Sequence, residues 1–308
     1  MNFREYFNEY ENCSLCPRNC RVNRYQKAGF CGETAELSIE SVLLHKGEEP
    51  PISYKNGSGT IFFTGCSLRC PFCQNMQISQ NPTDKKLYNL KNFFEILDKL
   101  VESGSENINF VTPDHFLPHI IEGVKYLRSK GINIPTVYNC SGYQSLASLE
   151  LASEYIDIFL FDYKFADASA SKYALNLENY NETALKGLEF LLKKKGSLKL
   201  DSDGKAHSGV IVRHLVLPDF VKNSEEVLNN LYFSFGNKIF ISIMSQYSPE
   251  YLKTGYDRLN RQLRREEYEQ IVNLARNLDF KNGYIQDYIS GKDQYLPDFN
   301  EKINFDVW

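Results

Sequence analysis

Gly65-Cys66-Ser67-Leu68-Arg69-Cys70-Pro71-Phe72-Cys73-Gln74-Asn75 decides how the rest of the chain is read. Three thiols spaced C-x3-C-x2-C on a short loop can hold three irons of a [4Fe–4S] cube and leave the fourth iron without a nearby protein ligand. A zinc site with a distant fourth ligand is the other reading of the same spacing. The loop follows an apolar, β-prone run, Thr60-Ile61-Phe62-Phe63-Thr64, and carries an aromatic residue directly before its third cysteine.

Outward from the loop, apolar runs at 60–64, 107–112, 134–139, 156–165, 209–217 and 238–244 alternate with amphipathic stretches at 90–103, 115–130, 144–154, 181–195, 224–235 and 264–278. Continuous apolar strands alternating with helices predict a parallel sheet covered by helices. Six such strands, with 283–288 as a seventh, fall short of the eight that close a full barrel. The expected fold is therefore α/β, a partial (β/α)6 TIM-like barrel. The turn cluster Lys55-Asn56-Gly57-Ser58-Gly59 divides it into a Cys-rich N-terminal metal-binding appendage, 1–55, and a barrel with a C-terminal extension, 56–308.

The 308 residues carry a formal charge of −4 and eight cysteines, seven of them in the first quarter. No apolar stretch is long enough to span a membrane, and the polar start MNFREYFNEY lacks the pattern of a secretion signal. A cytoplasmic, reducing compartment is expected, where clustered thiols are metal ligands more often than disulfides. The acidic balance argues against tight nucleic-acid binding. Runs such as Lys193-Lys194-Lys195 read as solvated helix ends.

The cysteine loop resembles that of the radical S-adenosylmethionine (SAM) superfamily, whose signature is C-x3-C-x-aromatic-C after the first barrel strand. The resemblance implies that Cys66, Cys70 and Cys73 hold a catalytic [4Fe–4S] cluster whose open iron chelates SAM. It implies reductive cleavage to methionine and a 5′-deoxyadenosyl radical that abstracts hydrogen from a substrate. A reductant such as flavodoxin or ferredoxin would supply the electron. Phe72 is expected beside the adenine, with Asn75 also a cofactor-binding residue.

Asp162 and Lys164, in Phe161-Asp162-Tyr163-Lys164, lie at i and i+2 on one face of a strand. They read either as a salt bridge at the barrel mouth or as a carboxylate for a ribose and an ammonium for a carboxylate. The second reading is similar to the D-x-K motif of pyruvate formate-lyase activating enzyme, and Arg213 matches an arginine on that family's fifth strand. Departures occur at Thr112-Pro113-Asp114-His115, in place of a Gly-Gly-Glu for the SAM amino group, and at Asn139-Cys140-Ser141-Gly142, in place of an Asp-Thr cation site. Cys140 reads as an ordinary small buried residue or as a thiol within the site.

The chain is similar over 13–288 to the pyruvate formate-lyase-activating-enzyme-related radical SAM proteins. The hallmarks are Cys13-x-x-Cys16-Pro17-Arg18-x-Cys20 with Gly29-x-Cys31-Gly32, and His45-x-Gly47-Glu48-Glu49-Pro50-Pro51. Activation of a glycyl-radical enzyme, which makes the substrate a protein, is one assignment; modification of a small molecule or peptide is another. The alternative class is a non-catalytic iron–sulfur carrier or maturation protein. Cys13, Cys16, Cys20 and Cys31 form a second site, for zinc or a further [4Fe–4S] cluster, and zinc is the expectation because it would staple a segment with little core. His45, Glu48 and Glu49 read as surface residues or, if the appendage folds over the barrel mouth, as lining the substrate entrance. Arg18 and Arg24 read either as holding an anionic substrate or reducing partner or as contacts to their own loop.

Overall fold

The computed structural model describes residues 6–80, 85–250 and 252–288. Its strands are β1 (Leu37–His45), β2 (Ser58–Phe63), β3 (Leu87–Tyr88), β4 (Ile108–Val111), β5 (Thr136–Cys140), β6 (Ile158–Asp162), β7 (Lys199–Leu200), β8 (Ala206–Leu215), β9 (Phe240–Met244) and β10 (Gly283–Ile285). The helices are α1 (Pro50–Ser53), α2 (Met76–Ser79), α3 (Leu90–Glu102), α4 (Leu117–Ser129), α5 (Leu146–Tyr155), α6 (Ala168–Leu175), α7 (Tyr180–Lys195), α8 (Val221–Phe235) and α9 (Arg265–Asn277).

Strands β2, β4, β5, β6, β8, β9 and β10 pair in that order, all parallel, and helices follow most of them. This is the open, partial (β/α)6 barrel, with β10 as the short seventh strand. Buried runs such as Ile108–Val111 and the apolar part of Ile158–Asp162 have no solvent face, which is why they read as continuous rather than alternating. The helices follow local rules: Asn89 and Ser145 accept the first free amides of α3 and α5, and Phe93, Ile96, Leu97 and Leu100 form the buried stripe of α3.

Besides the short α1, α2, β3 and β7, two longer elements were not foreseen. Helix α6 has a short apolar face made largely of alanines, too weak for periodicity to register. Strand β1 lies antiparallel along β2 and links the N-terminal segment to the sheet. Ahead of it, Tyr10, Cys13, Leu15 and Ala35 form a small separate core.

Between β1 and β2 the chain turns into the barrel. Ile52 of α1 packs against Val137, Ile158, Leu160 and Ile211 as an apolar floor. Asn107 anchors it, donating to the Ile52 carbonyl at 2.7 Å. At the opposite end, Gly142 closes the turn after β5 with φ +77°, and a Cβ there would overlap the Asp162 carbonyl oxygen and stand 2.6 Å from the Tyr180 hydroxyl. Gly142→Ala is expected to cost about 2 kcal/mol or more from backbone strain and crowding. Thermal unfolding should show it as a midpoint lower by roughly 5 °C; an unchanged midpoint would mean that the turn relaxes freely.

Candidate active site

The carboxyl ends of the strands surround a cavity of about 210 Å³, lined among others by Cys66, Cys70, Cys73, Phe72, Asn75, Asp162, Lys164 and Arg213. All eight residues expected at the catalytic site are thus brought to one space. The loop carrying the cysteines is held from several sides. The Leu68 amide donates to the Cys66 sulfur at 3.3 Å, Gln80 Nε2 donates to the Cys70 carbonyl at 2.6 Å, and the Cys73 sulfur lies 3.4 Å from the Ser79 hydroxyl. Lys253 joins from a segment far along the chain, its amide donating to the Pro71 carbonyl at 3.0 Å and its Nζ to Gln80 Oε1 at 2.5 Å. Phe72 packs between Phe165 and Tyr247, each ring centre 6.3 Å away. Burial pushes the Cys66 thiol up to about 11 and raises that of Cys70 further, although Lys164 opposes it at Cys70. Filling the site with metal therefore displaces protons.

Beneath the cysteines lies a charged layer. The parallel register sets Asp162 beside Arg213. Arg213 donates to Asp162 Oδ1 at 2.8 Å, to Glu48 Oε2 at 3.2 Å and to Asn139 Oδ1 at 2.6 Å. Glu48 Oε1 accepts from Asn109 and Asn139. Lys164 Nζ pairs with Asp162 Oδ2 at 2.5 Å, so the salt bridge considered for this pair is present, at the edge of the cavity. Burial alone would raise the Asp162 carboxyl; the charges of Arg213 and Lys164 outweigh it and hold the group below the ordinary carboxylate value. Glu49 has the opposite balance: burial raises its pKa, and its Oε2 is buried without a hydrogen-bond partner.

Of the two readings of His45, Glu48 and Glu49, the surface one is therefore corrected, and His45 and Glu48 line the cavity as the other reading has it. Glu49 is buried and Glu48 is largely so. Two adjacent glutamates ordinarily signal solvent, but the Pro50-Pro51 helix start carries them into the barrel, where Arg213 supplies the positive charge. Tyr180 was also missed. Its hydroxyl bridges the ends of β5 and β6, 2.8 Å from the Ser141 carbonyl and 3.1 Å from that of Asp162, and accepts the Lys164 amide at 3.0 Å. No local motif marks a tyrosine acting across that distance in sequence. Cys140 is buried, as expected, and also forms part of the cavity wall.

Asp114, at the place of the missing Gly-Gly-Glu, is buried and accepts from Tyr138 at 3.0 Å and Gln144 at 3.0 Å. Burial raises its pKa to about 6 despite both bonds. An unfolded aspartate titrates near 3.9, so the native state holds its proton over a range where the unfolded chain has released it. The associated stabilisation is present below about pH 4 and lost as pH rises through 6, on the order of 3 kcal/mol. Asp114→Asn removes that loss, and rotation of the Gln144 amide would give its unpartnered Oε1 a donor. The midpoint of the variant relative to the parent is expected to rise between pH 5 and pH 7.5; a constant offset would contradict it.

The sequence profile of the radical SAM superfamily matches residues 60–199. Two proteins of Methanocaldococcus jannaschii are similar along most of their length: uncharacterized protein MJ0674, 33% identical over 280 residues, covering 88% of this chain and 77% of that one, and uncharacterized protein MJ0808, 23% identical over 335 residues, covering 96% and 90%. Among solved structures, Streptococcus suis SuiB bound to S-adenosylmethionine aligns with TM-score 0.49 and 14% identity over 72% of this chain. The chain spans about half of SuiB, 48%. A domain of pyruvate-formate lyase-activating enzyme from Bacteroides vulgatus aligns with TM-score 0.43 and 14% identity, over 59% of this chain and 99% of that one. The chain belongs to the radical SAM superfamily. Membership implies a [4Fe–4S] cluster, SAM and an enzyme that uses radical chemistry. Among the described residues, no helix is long and apolar enough to cross a membrane.

Proposed function

We propose that this protein reductively cleaves SAM at a [4Fe–4S] cluster held by Cys66, Cys70 and Cys73, and abstracts hydrogen from a substrate. One observation carries the reading: the three cysteines, Asp162, Lys164 and Arg213 face one cavity at the carboxyl ends of a parallel sheet, where α/β folds bind ligands. The cluster, when bound, supplies the electron for cleavage. The chain supplies the rest. Lys164 offers an ammonium for the methionine carboxylate, and Asp162 an acceptor for the ribose hydroxyls. Arg213 keeps Asp162 ionised, Phe72 offers an apolar ring to the adenine, and Asn75 adds a polar contact. It acts as an activating-enzyme-like oxidoreductase of the cytoplasm, with a glycyl-radical protein as one substrate class, and its reductant is a one-electron carrier of the flavodoxin or ferredoxin kind. Cys13, Cys16, Cys20 and Cys31 form a second metal site.

Anaerobic protein carrying its cluster, mixed with dithionite and SAM, is expected to release 5′-deoxyadenosine. Cluster-loaded protein that binds no SAM and releases none would support the carrier or maturation role instead.

A further inference from the structure

We infer that the face formed by Arg18, Phe30 and Arg69 is the docking surface for the electron donor, an acidic protein of the flavodoxin or ferredoxin kind. The inference rests on the proposed cleavage of SAM and adds to it the place where the electron enters.

The chain as a whole is acidic, but its two cysteine segments are not. Residues 12–32 contain Arg18, Arg21, Arg24 and Lys27, residues 64–80 contain Arg69, and neither segment has an aspartate or glutamate. Arg24 is buried, Arg18 is half-buried, and Arg21, Lys27 and Arg69 are exposed. Among the described residues, Arg18, Arg21, Lys27 and Arg69 form no ion pair. Lys85, beside Gly32, is already neutralised by Glu33 and adds no free charge.

Folding brings the two segments together around one aromatic ring. Phe30 is 40% exposed, and the guanidinium groups of Arg18 and Arg69 stand 4.1 Å and 5.6 Å from its ring centre. An exposed ring flanked by two such cations is an apolar centre with a charged rim, the make-up of a protein interface in which arginine and aromatic residues are enriched.

This face lies on the outer side of the three-cysteine loop. Cys66, Leu68, Cys70 and Phe72 line the cavity, whereas Arg69 between them is exposed. Arg18 Nε donates to the Ser67 carbonyl at 3.0 Å, and the Cys66 amide donates to the carbonyl of Cys31, the residue after Phe30, at 3.1 Å. SAM and substrate occupy the cavity side, so a protein donor reaches the cluster from the outer side. One electron leaves the donor, which is oxidised, and reduces the cluster; no atom is transferred. Opposite charge speeds the encounter without requiring a tight complex, as repeated delivery of single electrons needs. A nucleic acid would take a longer track of phosphate contacts than these few exposed cations offer.

The test uses full-length, cluster-loaded protein with a bacterial flavodoxin, and a plant-type ferredoxin as second donor. Calorimetry measures binding at low and high salt, and the loss of visible absorbance on mixing with reduced donor gives the rate of cluster reduction. Arg69→Glu is expected to weaken binding about tenfold and to slow reduction by a similar factor, while dithionite-driven release of 5′-deoxyadenosine stays at the parental level. High salt should bring the parent down to the variant. Equal affinity in parent and variant, or no measurable binding of either donor to the parent, would overturn the surface. So would tight binding of a single-stranded oligonucleotide that Arg69→Glu loses while it keeps the donor. Should Arg69→Glu not load its cluster, Phe30→Ser probes the same face: a several-fold loss of donor binding is expected, and an unchanged affinity would sink the inference. Failure of the cleavage reading shows separately, as a parent that releases no 5′-deoxyadenosine under dithionite; the surface then stands or falls on the binding measurements.

Discussion

Arg213→Ala is expected to unfold at a temperature roughly 10 °C below the parent, the largest stability loss of any single change in the site. Its guanidinium joins Asp162, Glu48 and Asn139, and its side chain is only 11% exposed. Removing one member of a buried ion network leaves the others uncompensated and costs about 3–5 kcal/mol, at 2–4 °C for each ~1 kcal/mol in a chain of this size. Arg213→Lys should recover only part of the loss, because a point charge cannot span three partners as the planar fork does. The pH dependence has a definite sign. In the parent, the lowered pKa of Asp162 contributes stability above the unfolded aspartate value and loses it as pH falls. The gap between parent and variant should therefore narrow toward pH 4. A midpoint within about 2 °C of the parent at neutral pH would mean that water already screens the network.

Cys70→Ala is expected to reduce 5′-deoxyadenosine release to the level without enzyme. Three thiolates leave one iron of a cube open, and two cannot hold the cube in the same pose. Cys70 is buried, and its carbonyl is fixed by Gln80, which Lys253 fixes in turn. Water has little access to replace the missing ligand. The measurement is chromatographic detection of 5′-deoxyadenosine beside an iron count. Release at a substantial fraction of the parental rate would contradict the assignment of Cys70 as a ligand. Unfolding is separable by circular dichroism, because the packing of Phe72 against Phe165 and Tyr247 does not depend on the sulfur.

The barrel was legible because its causes are local. Continuous apolar runs make buried strands, and caps such as Asn89 and Ser145 start helices where the pattern changes. The cysteine loop was legible for a similar reason: three ligands within eight residues need no distant partner to be recognised. Asp162 and Lys164 were identifiable as a same-face pair, but their pairing with each other, and of Asp162 with Arg213 across β6 and β8, required the register.

Sequence by itself thus determined the parallel α/β barrel, the position of the three-cysteine loop and the family. Tertiary structure alone decided the fate of charges whose sequence neighbourhood misleads. Glu48 and Glu49 look solvated until a proline-led turn carries them inside, where an arginine far along the chain compensates Glu48, and Glu49 Oε2 is left without a hydrogen-bond partner. Arg24 reads equally as a holder of an anion or as a contact to its own loop until Tyr10, His115 and Cys13 are found around it. The physical reason is common to both. The free energy of a charge depends on which opposite charges and dipoles lie within a few ångströms, and residues from 48 to 213 acquire that proximity only when the chain folds.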